Sequence, residues 1–162
     1  MDCVTGINTV RDFLRDNLID PYTYISGCSD RGGEYWIFGN EPHSSPKYPQ
    51  VEIKKIDNPT QVISIGKNYA EKEQAYLTVW LYCKNGFSVT ISSTEYINAQ
   101  FIEKYMGTIK TTLKAKFADN SFQDVGIQGY KHLSTSRVEY DPETQLYFGA
   151  VSIMIEYFTG CS

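Results

Sequence analysis

Near its end the chain reads "SRVEYDPETQLYFGAVSIMIEYFTG", from Ser136 to Gly160. Two strand-like runs flank Asp141-Pro142-Glu143-Thr144, whose residue types predict the turn of a hairpin. The second run is apolar on both of its faces, whereas a half-buried strand alternates apolar with polar residues. One face would show Leu146, Phe148, Ala150, Met154 and Phe158, and the other Tyr147, Val151, Ile153, Ile155 and Tyr157. The fold must therefore cover both faces, or another subunit must cover one of them.

The bulk composition indicates one folded domain. The chain has 162 residues, enough to bury a core without disulfides or metals. Its 41% hydrophobic and 21% charged residues are typical of a folded chain. Its thirteen tyrosines are many for this length. Because tyrosine joins a large apolar ring to a polar tip, the excess indicates either contact surfaces besides the core or simply a tyrosine-rich sheet.

Charge and cysteine spacing exclude several classes of partner. Phosphate binding requires clustered Lys and Arg, but 15 basic residues stand against 19 acidic ones, with no basic run. We therefore expect no sequence-specific nucleic acid binding. We expect no membrane span or signal peptide either, since no apolar run approaches the roughly 20 residues that a span needs. The four cysteines fit neither a disulfide framework nor a zinc spacing, which predicts a reducing cytoplasm with Cys83 as a buried thiol.

Two amphipathic helices are predicted. Thr5 can cap the first, which ends near Asp20-Pro21 because proline disfavours continuation. Ser93 or Thr94 can cap the second, whose lysines lie toward its negative end. The apolar stripes are Ile7, Val10, Leu14 and Leu18 in the first helix, and Ile97, Phe101, Tyr105, Ile109 and Leu113 in the second.

The strands predict the fold class. The clearest strand, "EKEQAYLTVWLYCKN" at residues 71–85, follows shorter ones in "YPQVEIKKID" (48–57) and "QVISIGK" (61–67). The order of elements predicts an α+β fold: a mainly antiparallel sheet, two helices packed on one face, and a long C-terminal β-hairpin. The chain itself would then leave the other face uncovered. On that face we expect Trp80, Tyr82, Tyr147 and Tyr157.

Residues 21–49 lack periodicity. Four glycines and three prolines lie between residues 26 and 49, and a connection this long is usually functional or mobile. We interpret residues 1–162 as a single domain with an extended arm or loop at 21–49, which carries a brief strand at Tyr35 to Phe38. The alternative is a long hairpin packed on its own domain.

No enzyme signature is present in the sequence. It contains no G-x-S-x-G, H-E-x-x-H or Walker-type glycine loop. The glycines between Ser29 and Glu34 neither follow a clear strand nor open a helix, so a phosphate site there is not favoured. His43 and His132 are too few for a histidine metal site. The scattered acids Glu52, Asp57, Glu71 and Glu73 have no evident basic or histidine partner. We expect no catalytic residues, no metal and no cofactor.

The order of elements also carries a family resemblance. It runs from a leading helix, "VRDFLRDNL", through a proline-led strand, "YPQVEIKKI", to a central strand, "AYLTVWLYC". A helix, "EYINAQFIEKYMGTIKTTL", and a hairpin ending in "VSIMIEYF" follow. In this layout the chain resembles the tail-completion proteins of tailed, bacteriophage-like viruses, above all the tail terminators that cap the tail tube and join it to the head. The stretch from Ser26 to Pro49 departs from the simplest pattern and fits either an added arm or a different neck component.

The resemblance implies a homo-oligomeric ring, often of six subunits, in the neck of a virion assembled in the host cytoplasm. Its partners would be copies of itself, the tail tube protein and the head-tail connector, and DNA would only pass through. Neighbours in the ring would cover the exposed aromatic side chains. From residue type and position, the candidates for contact with these neighbours are Tyr35, Trp36, Phe38, Tyr147, Tyr157 and Phe158. Glu71 and Glu73, expected in a loop before the central strand, could face the lumen or a partner ring.

Two other functions remain open at this point. A small-molecule or carbohydrate-binding α+β module could use the aromatic sheet face as a stacking platform. An enzyme could assemble its site from the scattered acids.

Overall fold

Long antiparallel strands dominate the structure. The computed structural model describes residues 3–25, 31, 35–39, 47–56, 63–65 and 70–159. Its helices are α1 (Cys3–Asn17), α2 (Ala99–Ala118) and α3 (Ser121–Asp124), and a 3₁₀ turn covers Pro21–Tyr24. Its strands are β1 (Ile37–Phe38), β2 (Gln50–Lys55), β3 (Ile63–Ile65), β4 (Ala70–Lys84), β5 (Ser88–Ile91), β6 (Thr94–Ile97), β7 (Ile127–Thr135), β8 (Glu139–Asp141) and β9 (Leu146–Thr159).

The main sheet is built around the pair β4 and β9. Its order is β1-β2-β4-β9-β7, with β3 also paired to β4 and β8 also paired to β9. β4 and β9 run antiparallel in register, from Glu71 opposite Thr159 to Lys84 opposite Leu146. Among the described strands of this sheet, β1 alone pairs in parallel, with β2. This confirms the predicted α+β class and its mainly antiparallel sheet.

Both long helices pack on the same face of this sheet, as predicted. Gly6 of α1 lies against Ile155, and Gly149 of β9 lies against Met106 of α2. The apolar stripes of the helices meet the odd-numbered side chains of β4 and β9, and burying each large side chain stabilises the fold by about 1.5–3 kcal/mol. Residues with no exposed surface in this core include Val10, Leu14, Leu77, Val79, Leu81, Phe101, Ile109, Leu113, Ile153 and Ile155.

The start of the first helix differs from the prediction. α1 begins at Cys3 rather than after a cap at Thr5, and the Thr5 carbonyl accepts a hydrogen bond from the Thr9 hydroxyl within the helix. The stripe itself was predicted correctly, since Ile7 and Leu18 are both buried. The chain leaves the helix before Pro21, where the Asp20 side chain accepts a hydrogen bond from the backbone of Tyr22.

The start of the second helix was predicted wrongly. Ser92 and Ser93 are the turn of the β5–β6 hairpin, both with positive φ (49° and 67°), which is the geometry of a tight hairpin turn. The hairpin ends where the Asn98 backbone donates to the Phe87 carbonyl, and α2 begins directly after it. Ile97 is consequently 44% exposed rather than part of the helical stripe.

The described parts of residues 21–49 lie against the domain. Arg31 is only 2% exposed, and Trp36 and Ile37 are buried as β1 joins the sheet edge. This arrangement is the one expected of a segment packed on its own domain. Residues 26–30, 32–34 and 40–46 lie outside the described residues, so an arm formed by them stays a prediction.

The predicted C-terminal hairpin is confirmed. Asp141 ends β8, and its carboxylate accepts hydrogen bonds from the Glu143 backbone and the Thr144 hydroxyl, which fixes the turn. Asn85 and Gly86 form the other predicted turn, with Gly86 at φ 83°. Cys83 has no exposed surface, as predicted for a buried thiol.

Candidate interaction surfaces

The face of the main sheet opposite the helices carries a surface that we call the open face. It consists of the even-numbered side chains of β4 and β9, bordered by those of β2. Within the described part of the chain, no helix covers it. The prediction of this face was right for Trp80 and Tyr82 but wrong for Tyr147 and Tyr157, because the register of β9 turns its odd-numbered side chains toward the helices.

Three aromatic rings form the centre of the open face. The Trp80 and Tyr82 ring centroids lie 6.3 Å apart, with the planes inclined by 21°. The Phe148 ring lies 6.0 Å from Trp80 and 6.3 Å from Tyr82. All three side chains are half-buried. The rings support one another across β4 and β9, which gives the surface a stiff apolar centre.

Acidic and basic groups border this aromatic centre. Burial and the nearby Glu52 carboxylate raise the pKa of Tyr82 to about 12, so its hydroxyl stays protonated at neutral pH. Glu52 pairs with Lys54 on the same strand at 2.9 Å. Lys84 lies 5.6 Å from the centre of the Tyr48 ring, a weak cation–π contact. The groups along this border can donate and accept hydrogen bonds, and neither sign of charge dominates among them.

At the other end of the open face, polar side chains form hydrogen bonds with one another. The Glu156 carboxylate accepts hydrogen bonds from Lys72 (2.6 Å) and from Gln74 (2.7 Å). These bonds lower the pKa of Glu156, the bond from Lys72 contributing most. Gly129 on β7 leaves the space that the carboxylate fills, since a Cβ there would overlap Glu156. Each oxygen of the Glu156 carboxylate thus has a partner from β4, which holds the side chain in place on this face.

Two of the predicted contact residues belong to the core. Trp36 is 5% exposed and packs edge-on against Tyr105, with ring centroids 6.0 Å apart. Tyr157 is 1% exposed on the helix-covered face, and its hydroxyl donates to Glu73 at 3.1 Å. Neither side chain is accessible to a neighbour in this fold. Their aromatic character is explained by packing within the chain.

The other four predicted contact residues are accessible to different degrees. Tyr35 is 63% exposed, with its ring over the Arg15 guanidinium at 3.8 Å. Phe158 is 39% exposed near the end of β9, and Phe38 and Tyr147 are half-buried. The structure does not bring these side chains together into one patch, since Tyr35 and Phe38 lie at the β1 edge and the other two on β9.

Glu71 and Glu73 lie within β4, as the strand predicted over residues 71–85 implies, and not in the loop expected before the central strand. Glu71 is opposite Ser64 and Thr159; its side chain lies outside what the structure describes. Glu73 is half-buried as the acceptor for Tyr157. Glu73 therefore has a structural partner inside the domain, 84 positions away along the chain and so not visible in the local sequence pattern.

Among the described strands, none pairs with the outer side of β7 or β8, so this side of the sheet is an edge. β7 contains register irregularities between Ile127 and Gly129 and between His132 and Ser134. Such bulges and exposed charges discourage a further strand from pairing. Side chains remain available here: Leu133 is 40% exposed, and Tyr140 is 42% exposed with its ring 4.6 Å from Tyr147.

The outer side of α2 forms a shallow groove of a different character. Glu103, Lys104 and Gly107 line it together with three threonines. Two of these threonines, Thr108 and Thr111, donate their hydroxyls back to helix carbonyls. These two hydroxyl protons are therefore not available to a ligand in the groove.

The part of the open face that lies on β9 was not predicted from the sequence. Phe148, Ala150 and Met154 had been assigned to one of two equally apolar faces. Only the pairing with β4 shows that this face is the one without helices. Along β4, Tyr76, Thr78, Trp80 and Tyr82 alternate with apolar residues. This alternation identified the β4 half of the open face correctly.

No protein-family model matches this chain, and no curated protein matches it either. Among the described residues, no three His, Cys, Asp or Glu side chains are grouped so that they could hold a metal ion. No helix in the described ranges is long and apolar enough to cross a bilayer.

Proposed function

We propose that the chain is a structural virion protein, a tail terminator or related tail-completion protein. Copies of it would form a ring that caps the tail tube and joins it to the head connector, and DNA would pass through the ring. The virion would be assembled in the host cytoplasm. The observation that carries the proposal is the presence of accessible aromatic side chains at both edges of one sheet and on its open face.

A closed ring requires two different surfaces on opposite sides of each subunit. Tyr35 lies two residues before β1, at one end of the sheet order, and is the most exposed large apolar residue described. Leu133 and Tyr140 lie at the other end, on β7 and β8. A head-to-tail contact between neighbours would bring the two edges together and remove these side chains from water.

The overall charge is compatible with a DNA channel. Acidic residues outnumber basic ones by 19 to 15, so the net charge of the ring would repel passing DNA and not retain it. Exposed acids on the β8–β9 hairpin, Glu139 and Glu143, are candidates for the channel side. They replace Glu73 in that role, because Glu73 accepts a hydrogen bond from Tyr157.

Complementation of a virus that lacks the gene tests the proposal. We expect electron micrographs of the deletion to show heads beside overlong or unjoined tails, and the wild-type gene to restore virions. A Tyr35→Ser/Tyr140→Ser double variant should fold but fail to restore joining. Ile97→Ser is the control, since Ile97 is about as exposed as Tyr140 (44% against 42%) but lies off the main sheet. Normal virions without the gene would refute the proposal.

A second function, carbohydrate binding, is favoured by one observation. The Trp80 and Tyr82 rings are nearly parallel and lie beside the Glu52 carboxylate, and sugar rings stack on aromatic surfaces bordered by hydrogen-bonding groups. A saturable thermal shift with an oligosaccharide, lost in Trp80→Ala, would support this function. The same shift in Trp80→Ala as in the wild type would count against the open face as the site.

A further inference from the structure

The turn between β4 and β5 contains Asn85-Gly86, the only Asn-Gly pair in the sequence. Both residues are exposed, and nothing lies within 4 Å of the position that a Cβ of Gly86 would occupy. Asparagine loses its side-chain amide most readily before glycine, because a residue without a Cβ leaves its backbone nitrogen unshielded. Sequence and exposure together therefore make Asn85 a candidate for spontaneous deamidation.

The reaction at this pair needs water as its only co-reactant. The Gly86 nitrogen attacks the side-chain carbonyl carbon (Cγ) of Asn85, and its proton passes to hydroxide. The new C–N bond closes a five-membered imide, and Asn85 Nδ2 leaves as ammonia. Water then opens the imide at either carbonyl, which gives aspartate or isoaspartate. The first step requires that the Gly86 N–H can lose its proton and that the Asn85 side chain can turn toward the nitrogen.

The side chain of Asn98 contacts both of these reacting groups. The Gly86 N–H donates to Asn98 Oδ1 at 2.9 Å, and Asn98 Nδ2 donates to Asn85 Oδ1 at a longer 3.4 Å. The orientation of the Asn98 amide follows from its partner, because a backbone N–H can only donate and must face the oxygen. One amide thus binds the nucleophile and the group that the nucleophile would attack.

The backbone of Asn98 is fixed in an uncommon conformation. Its φ is 46°, a value that few residues other than glycine adopt. Its N–H donates to the Phe87 carbonyl at 3.0 Å, and its carbonyl accepts from the Ile102 N–H at 3.2 Å. Asparagine directly before a helix usually caps it with its side chain, but Asn98 makes no such bond to α2. Its side chain bonds instead to the β4–β5 turn.

We propose that Asn85 is a site of spontaneous deamidation, and that Asn98 slows the reaction by binding the Gly86 N–H and the Asn85 side chain. While both hydrogen bonds hold, the Gly86 nitrogen keeps its proton and the Asn85 side chain is not free to rotate. Attack therefore waits for an opening of the turn. This inference concerns the chemical lifetime of the folded chain and does not rest on the proposed ring.

Peptide mapping by mass spectrometry measures deamidation at Asn85 in the full-length folded chain, incubated in mildly alkaline buffer. The test variant is Asn98→Gly, which removes the side chain and tolerates a positive φ. We expect the rate at Asn85 to rise by about five- to tenfold, the factor by which loss of one typical hydrogen bond favours the open turn. An unchanged rate at Asn85 in folded Asn98→Gly would overturn the proposal.

Asn98→Asp separates the two hydrogen bonds. Aspartate keeps an acceptor for the Gly86 N–H but loses the donor to Asn85. A carboxylate is the stronger acceptor, and its charge opposes removal of the proton from the nitrogen. We therefore expect the rate at Asn85 in Asn98→Asp to stay close to that of the wild type. A rate as high as that of Asn98→Gly would overturn the assignment of the effect to the bound Gly86 N–H.

Asn120-Ser121 provides a reference within the same chain. Asn120 is exposed at the other end of α2, and its deamidation should proceed equally in the wild type and in both variants. Equal acceleration at Asn85 and Asn120 in Asn98→Gly would show a general loosening of the fold and overturn the proposal. In urea, where the turn is open, wild type and Asn98→Gly should react equally at Asn85. A difference that persists in urea would overturn it as well.

Discussion

Arg31 is the residue that fastens the aperiodic segment to the domain. Its guanidinium pairs with the Asp20 carboxylate at 2.5 and 2.9 Å and donates to the carbonyls of Lys47 and Pro49. The Lys47 ammonium donates in return to the Arg31 carbonyl at 2.9 Å. One buried side chain thus connects the beginning and the end of residues 21–49. Nothing in the sequence distinguishes this arginine, because its partners lie 11 to 18 positions away.

Arg31→Ala should destabilise the protein by about 1–3 kcal/mol, because the carbonyl of buried Pro49 loses its charged donor and the half-buried Asp20 carboxylate keeps only the Tyr22 backbone as a partner. Urea unfolding followed by circular dichroism measures this free energy. Arg137→Ala is the matched control: Arg137 is exposed, and its replacement should change stability by less than about 0.5 kcal/mol. Equal effects of the two substitutions would show that Arg31 does not fasten the segment.

The stability of the protein should fall at alkaline pH, because a buried thiol and two partly buried phenols have raised pKa values. Burial raises the pKa of Cys83 to about 12 from 9.0, and those of Tyr82 and Tyr130 to about 12 from 10.0. Above pH 9 the unfolded chain loses protons that the folded chain keeps, so the free energy of unfolding decreases as pH rises toward 12. We expect the urea midpoint to hold between pH 6 and 8 and to fall from pH 9 onward.

Cys83→Ala separates the thiol from the tyrosines. In this variant the decline of the urea midpoint should begin nearer pH 10, whatever the loss of stability at neutral pH. A decline that still begins at pH 9 would show that the Cys83 thiol is not the group responsible.

Among the elements, α2 and β9 meet at a contact that requires glycine. A Cβ at Gly149 would lie 2.6 Å from the Met106 sulfur and 2.9 Å from Ile102, both on the core side of the helix. Gly107, on the outer side of the same helix, has nothing within 4 Å of the corresponding position. The Gly107 position therefore has room for a side chain, whereas the Gly149 position does not.

The same substitution at these two glycines should have opposite effects. Gly149→Ala should destabilise the protein by about 1–3 kcal/mol, since the helix must move away from the sheet. Gly107→Ala should stabilise it by up to about 1 kcal/mol, since alanine is the better helix former. Thermal unfolding of both variants measures the difference. A stabilising Gly149→Ala would contradict the described packing of α2 on β9.

The spacing of apolar residues predicted a helix or a strand correctly wherever it fitted only one of the two. The stripe from Phe101 to Leu113 and the alternation from Ala75 to Cys83 are confirmed. The β5–β6 hairpin was missed because Ser93 and Thr94 satisfy the pattern of a helix cap as well as that of a turn. Only the backbone contact between Asn98 and Phe87, eleven residues apart, decides between them, and sequence alone does not contain that contact.

At the scale of the whole molecule, the fold class followed from the order of elements, but the contact surfaces did not. Both faces of β9 are apolar, and its register with β4 decides which one the helices cover. That register is a long-range property, so Tyr157 was predicted on a surface and is found in the core. Trp80 and Tyr82 were placed on the correct face because β4 alternates clearly.

In the proposed function, many copies of this chain act together on a tail tube. The most direct test of this claim uses tail tubes isolated from a virus that lacks the gene, mixed with the purified chain and imaged by cryo-electron microscopy. We predict a ring-shaped cap of several copies at one end of each tube, absent with Tyr35→Ser/Tyr140→Ser and present with Ile97→Ser. Bare tube ends beside a chain that stays free in solution would contradict the claim.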